Sequence, residues 1–253
     1  FFGCSALTSV TFSDGLNEIG DSAFGNCNNI TDVHIGDLES WCNIAFRSST
    51  ANPLFYARNL YVAEELVTAL VIPDSVSQIK DYAFYGFGSL TSATIGNNVD
   101  SIGKFAFCNC DNLTIAFISD SVTSIESSAF QGCSSLKEIC VSQNNQNYAS
   151  IYGVVFSKDI KTLILCPGAK SGAYIIPDNV TSIGQYAFSG CDRLTGVVIP
   201  DSVTRIGNEA FSRCNSLTSV TIPDSVFLGS CMISLRSPSM RMRTRTSFSK
   251  GSI

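Results

Sequence analysis

The sequence predicts an α/β repeat protein, a solenoid of about nine coils with parallel strands in which two coils carry hairpin insertions. Three observations predict it. A cysteine, or the residue in its place, recurs at Cys4 and Cys27, at Phe87, Cys110 and Cys133, and at Cys191 and Cys214, with one constant step inside each group. The two longer gaps, from 27 to 87 and from 133 to 191, fit two units with an insertion of roughly a dozen residues. Inside each unit the apolar spacing also changes, which separates strand from turn.

Each unit can be taken in order. Three positions after the cysteine begins an L-x-x-V-x-I segment, as in Leu113/Ala116/Ile118, Leu136/Ile139/Val141, Leu194/Val197/Ile199 and Leu217/Val220/Ile222. Its last apolar positions alternate with small or polar residues, the pattern of a half-buried strand. A Pro-Asp turn or its equivalent follows at Pro73, Pro177, Pro200 and Pro223. Proline fixes φ and donates nothing to a ladder, so each strand stops at the same height. Next comes V-x-x-I (Val122/Ile125, Val180/Ile183, Val203/Ile206), a short extended piece on another side. Last is A-F-x-x-C, for example Ala187/Phe188/Cys191, whose spacing suits a single helical turn facing inward. No unit can bury its apolar side alone, but stacking places Leu on Leu, Phe on Phe and Cys on Cys.

The run C-x-x-L-T-S-V-T-I-P-D-S-V-T-x-I-G-x-x-A-F resembles the BspA-type (treponemal-type) leucine-rich repeat. The longer segments 38–76 and 145–180 are similar to that family's inserted hairpins. The resemblance covers residues 1–226. It implies a leucine-rich-repeat solenoid and a secreted or cell-surface setting, because members are typically surface or secreted proteins of host-associated bacteria and some parasitic protists, linked to adhesion. Phe1 falls inside an A-F-x-x-C turn, so the natural start is expected upstream and the chain is read as a fragment.

Composition narrows the function classes. Apolar residues make up 45% and charged residues 15%, enough for a continuous core. The net charge is −5, yet residues 1–226 hold 11 basic and 21 acidic residues, because Arg236, Arg241, Arg243, Arg245 and Lys250 fall in the segment 227–253 without an acid. A rod of charge −10 disfavours nucleic acid, which needs a clustered basic face. The segment 227–253 lacks the repeat and is read as a disordered or frame-shifted terminus, with a basic interaction tail as the alternative. No uninterrupted apolar run approaches the roughly 20 residues that a spanning helix needs, so no membrane span is expected. The 11 cysteines are better explained by packing in a ladder than by disulfides. Cys108 and Cys110 form only C-x-C, so a metal is not expected either.

The sequence offers no catalytic constellation and implies no cofactor. His34 stands alone, without a Ser, Cys or carboxylate at the spacing that nucleophilic catalysis needs. What can act is surface. The x positions of L-x-x-V-x-I point outward, and most are Thr or Ser. The departures are His34, the apolar pair Ile115 and Phe117, and the charged pair Lys137 and Glu138, while the aromatics Trp41, Tyr56 and Tyr61 cluster in the first insertion. These eight are the candidate ligand-binding residues. For Ile115 and Phe117 the competing reading is packing beneath the second insertion, and for the aromatics it is capping of inserted strands. The expected function is an adhesion or protein-interaction module, outside or on the cell, that holds a protein or glycan ligand without chemistry. The alternatives are a structural spacer in a larger surface protein and the repeat region of an enzyme whose catalytic domain lies elsewhere.

Overall fold

The computed structural model describes residues 1–226 and the strand Arg241–Thr244. That strand pairs parallel to Ser219–Ile222; the rest of the basic segment 227–253 lies outside the described residues. The chain winds into a parallel-strand β-solenoid of about nine turns with three sides.

On the first side lie the L-x-x-V-x-I strands, in three parallel sheets that break where the insertions enter. The first holds Ser9–Phe12, Asp32–Ile35 and Asn59–Val62; the second Ala69–Val71, Ser92–Thr94, Ile115–Ile118 and Glu138–Val141; the third Gly172–Ile175, Leu194–Val198 and Ser219–Ile222. Where no insertion intervenes the register advances by one whole repeat, so that Ser92 lies beside Ile115 and Ile115 beside Glu138. Leu113, Leu136, Leu194 and Leu217 are each at most 1% exposed, Leu113 and Leu136 in one core cluster and Leu194 and Leu217 in the next. Burying each contributes roughly 1.5–3 kcal/mol. Where a proline follows the strand, its carbonyl accepts from the N–H of the next valine, Pro177 from Val180 at 3.0 Å and Pro200 from Val203 at 3.1 Å.

Two-residue strands make the second side, among them Gln78–Ile79, Ser101–Ile102 and Ser124–Ile125, again parallel and one repeat apart. After Ile102 the approach of the coils requires a glycine. A β-carbon on Gly103 would sit 2.6 Å from the Asp81 amide nitrogen of the preceding coil.

On the third side the expected helical turn is replaced by a tight turn. Tyr82, Phe105, Tyr186 and Glu209, which precede the A-F pair, have positive φ, as do Gly86, Asn109, Gly190 and Arg213 within the same turns. The left-handed residue rotates the next peptide out of the helical path, so that Phe84, Phe107 and Phe188 donate their N–H to Ala106, Ala129 and Ala210 of the following coil at 2.7–2.8 Å. Among the described residues, helix is confined to Leu38–Cys42 and the two 3₁₀ pieces Ser49–Ala51 and Pro53–Phe55. The α part of the expected α/β class therefore shrinks to these segments, and the body is strand and coil.

Like meets like along the interior. Phe84, Phe107 and Phe130 stack at 5.3 and 5.1 Å, and Phe188 stacks on Phe211 at 5.0 Å. The cysteines add a directional contact. Cys110, Cys133 and Cys214 donate their S–H to the carbonyls of Phe84, Phe107 and Phe188 one coil back, at 3.2, 2.9 and 3.0 Å. The ten cysteines among the described residues are free thiols. Burial pushes the thiols of Cys108 and Cys214 up to about 12, the neighbouring cysteine adding to the effect.

The longer segments are held by two buried amides. Asn52 donates to the carbonyls of Tyr82 and Ala83 at 2.8 and 3.0 Å and accepts from Leu54 N–H. Asn145 donates to Ser119 and Val122 at 2.8 and 2.9 Å and accepts from the N–H groups of Asn147 and Tyr148. After Asn52 the strand Asn59–Val62 turns back on Glu65–Leu66 in an antiparallel pair. After Asn145 the strands Tyr148–Ile151, Val154–Ser157 and Thr162–Leu165 pair antiparallel in succession, and the last rejoins the second side. Among the described residues no helix is long and apolar enough to cross a membrane.

Candidate functional site

The strand side is the candidate site because its outward residues form rows fixed by register. In the first sheet one row runs Thr11, His34, Tyr61; in the second Val71, Thr94, Phe117, Cys140; in the third Ile175, Val198, Thr221. Alternation forces these side chains outward, since their neighbours Val33, Leu60, Ala93, Ala116, Val197 and Val220 fill the core.

The first row carries polar and aromatic groups. His34 stacks on Tyr61 with centroids 4.7 Å apart, and its Nδ1 lies 3.3 Å from a Glu64 carboxylate oxygen on the hairpin. Beside them Asp32 accepts from the Thr31 hydroxyl at 2.7 Å and the Asn59 amide at 2.9 Å. Those bonds, the Thr31 hydroxyl first, hold its carboxyl below the usual range. The ring of His34 thus touches a phenol and a carboxylate.

The middle row exposes Val71 and Phe117 on either side of an exposed Thr94. Phe117 is 43% exposed, while Ile115 is half-buried beside Ser92 and Glu138. Lys137 and Glu138 are both exposed, although the Tyr152–Gly153 tip of the second insertion packs on the Glu138 side chain. The structure therefore brings Ile115, Phe117 and Glu138 onto adjacent strands, with Lys137 immediately before the second. Sequence reasoning missed Val71 and Ile175, which are 62% and 70% exposed in the same kind of position, next to Val198 at 47%. The signal was present in Leu70-Val71-Ile72 and Tyr174-Ile175-Ile176, but both belong to coils whose first leucine is replaced.

The aromatics of the first insertion divide. Trp41 is a correction to the expected binding set, since it is 1% exposed and its indole N–H donates to the Ala83 carbonyl at 2.9 Å. Its ring is buried between Phe12 and Phe46, at 5.5 and 5.1 Å. Tyr56 lies on the turn side, its hydroxyl accepting from Asn26 N–H at 2.8 Å, and its ring meets Phe55 edge-on. Phe55 stacks on Tyr85, and Tyr82 on Phe105, so the turn side has an aromatic strip whose ring faces are largely spent on each other. On the second side a groove of about 630 Å³ opens between Arg47, Lys80, Lys104 and Glu126. Arg47 is engaged there by Glu18 in a paired contact at 2.8 and 2.9 Å. Among the described residues no three His, Cys, Asp or Glu side chains are grouped to hold a metal ion.

A family model for the BspA type leucine-rich repeat region matches in 6 copies, over residues 1–66, 57–167 and 169–230. The chain belongs to the BspA-type leucine-rich repeat family. Solved structures place this BspA-type solenoid among bacterial leucine-rich repeat proteins. One from Eubacterium ventriosum matches at 25% identity and a TM-score of 0.66, over 87% of this chain and 55% of its own. The pneumococcal vaccine antigen PcpA matches at 22% identity and 0.59, over 87% and 51%. A leucine rich cell surface protein from Faecalibacterium prausnitzii matches at 24% identity and 0.58, over 96% and 80%. The chain spans about half the length of the first two. No curated protein matches the sequence.

Proposed function

We propose that this BspA-type chain is a non-enzymatic adhesion or protein-interaction module, secreted or displayed on the cell surface, whose strand side holds a protein or glycan ligand. The solenoid, residues 1–226, is the working unit. The observation that carries the reading is a pair of exposed outward rows, Val71 and Phe117 flanking Thr94 on the second sheet and Ile175 beside Val198 on the third, held on a rigid scaffold. Isolated surface apolar residues need no explanation, but an adjacent pair held in register, such as Ile175 and Val198, marks a place built to be covered. The polar cluster of Asp32, His34, Tyr61 and Glu64 supplies orientation at the other end of the same side.

The experiment is binding of the purified full chain, at micromolar concentration, to a panel of extracellular-matrix proteins, to a glycan array and to whole cells. The double variant Phe117→Asp/Lys137→Glu is run beside it. A binder loses at least about tenfold in affinity, the scale of one buried aromatic anchor. A chain that binds nothing in the panel overturns the reading in favour of the second one, a spacer. The spacer reading is favoured by the uniform Thr and Ser rungs at Thr8, Ser9 and Thr11 and at Thr218, Ser219 and Thr221.

A further inference from the structure

The strand side has an acidic border along the edge where its strands end. Each exposed apolar residue of the row is followed three positions later by an exposed aspartate, at Asp74, Asp120, Asp178 and Asp201. Within residues 1–226 no lysine or arginine occupies the turn after any of the ten strands of this side. These aspartates, three of them in Pro-Asp turns, therefore run as an acidic line beside the apolar residues. In the third sheet the two lines meet in a recess of about 570 Å³, lined by Val198, Thr221, Asp178 and Asp201 among others. Ile175, beside Val198 in register, is 70% exposed at its edge.

We propose that this recess docks a cationic amphipathic helix of a partner protein, its apolar stripe on Ile175 and Val198 and its lysines or arginines against Asp178 and Asp201. The inference rests on the adhesion reading and adds the chemistry of the partner. Charge selects the class: Asp178 and Asp201 line the recess and the chain carries −5 overall, which disfavours anionic lipid, nucleic acid and a second copy of itself, while the next strand places Arg241 and Arg243 in register beside Ser219 and Thr221 at the far side of the recess. Spacing selects the helix. Stacked strands repeat every ~4.8 Å, and a helix laid along the axis repeats its apolar stripe every ~5.4 Å. An extended peptide shows the same face only every ~6.7 Å, and slips out of phase within two coils. Aliphatic side chains such as Ile175 and Val198 also offer a sugar neither a hydrogen bond nor a ring to stack on. The mode is a helix laid on an apolar strip with charge at its border.

The test uses the full chain and a fluorescein-labelled Leu/Lys amphipathic peptide of about 14–18 residues, long enough to be helical when docked. A scrambled isomer of identical composition is the control. Anisotropy titrations are run at 50 and 500 mM salt. The proposal expects micromolar binding of the amphipathic isomer, at least about tenfold weaker for the scrambled one, and weakening with salt. Asp178→Asn/Asp201→Asn should weaken binding about fivefold or more. Ile175→Asp/Val198→Asp should abolish it although the chain becomes more acidic, which separates apolar docking from simple charge attraction. Thermal melts of both variants, at surface positions, are expected within a few degrees of the parent. Equal binding of the two isomers, binding unaffected by Ile175→Asp/Val198→Asp, or no binding at 100 μM overturns the proposal. Self-association of the parent that Ile175→Asp/Val198→Asp removes, seen by sedimentation, also overturns it by making a second copy the occupant. If the peptide fails while Phe117→Asp/Lys137→Glu still loses the ligand found in the binding panel, the partner chemistry falls and the adhesion reading stands.

Discussion

Replacing Phe107 by alanine should test the interior ladder more sharply than any change at the surface. Phe107 is fully buried and is stacked on both sides, by Phe84 at 5.3 Å and by Phe130 at 5.1 Å with planes 7° apart. Truncating a buried phenylalanine costs about 3–5 kcal/mol. The upper half of that range applies here, because neighbouring coils are tied by backbone hydrogen bonds and cannot collapse into the hole. Phe1 is the internal control. Its ring stacks on Phe24 at 5.3 Å and 8°, nearly the same geometry, but is 73% exposed, so Phe1→Ala should cost less than about 1 kcal/mol. Guanidinium denaturation of the full chain under reducing conditions, followed by circular dichroism and fluorescence together, gives both values and shows where repeats unfold separately. A double-mutant cycle between Phe107 and Phe130 should return a coupling of about 0.5–1.5 kcal/mol. Costs for Phe107→Ala and Phe1→Ala that agree within about 1 kcal/mol, or a coupling of zero, would refute the idea that stacked like residues hold the coils together.

Other expectations follow from single groups. Asn145→Ala should destabilise by about 2–4 kcal/mol in a thermal or chemical melt, since it strips partners from two buried carbonyls and two N–H groups. Gly103→Ala should cost at least about 2 kcal/mol, because the new methyl meets the backbone of Asp81 and Lys80, which cannot swing away. The Cys108 and Cys214 thiols, raised by burial from about 9 to about 12, favour the folded state below pH 9, and this contribution is lost as pH climbs from 9 to about 12. Denaturant midpoints should accordingly fall across that window. Mass spectrometry after iodoacetamide at pH 8 should find Cys4 modified and Cys108 untouched in the native chain.

Most of the solenoid was legible because its stacking partners are copies of itself. The positions of Leu113, Phe107 and Cys110 each recur one repeat further on, at Leu136, Phe130 and Cys133, and like side chains in register define both the strand and its neighbour. The A-F-x-x-C turn was harder. Its one-and-four spacing fits a helical turn, and only the left-handed backbone at Tyr82 and Phe105 shows that the N–H groups serve the next coil. Trp41 misled for a related reason, since composition cannot tell an aromatic exposed on an insertion from one buried in the core. The outward position of Phe117 was legible, because the repeat is intact there. Val71 and Ile175 were missed, where Val67 and Gly172 stand in the place of the first leucine. The acidic edge was written in every Pro-Asp turn, but its relation to the apolar row needs the register.

The most direct test of the stacked repeat is to remove one. Deleting residues 92–114 joins Thr91 to Ile115 in phase, so that Val71 gains Phe117 as its row neighbour and Phe84 gains Phe130. The melting temperature of this deletion, by circular dichroism, should fall by less than about 10 °C with the strand-rich spectrum retained. A half-repeat deletion, 92–102, should leave the chain unable to melt cooperatively, because every later side chain is out of step with its partner. Equal loss of structure in the two deletions would contradict the account.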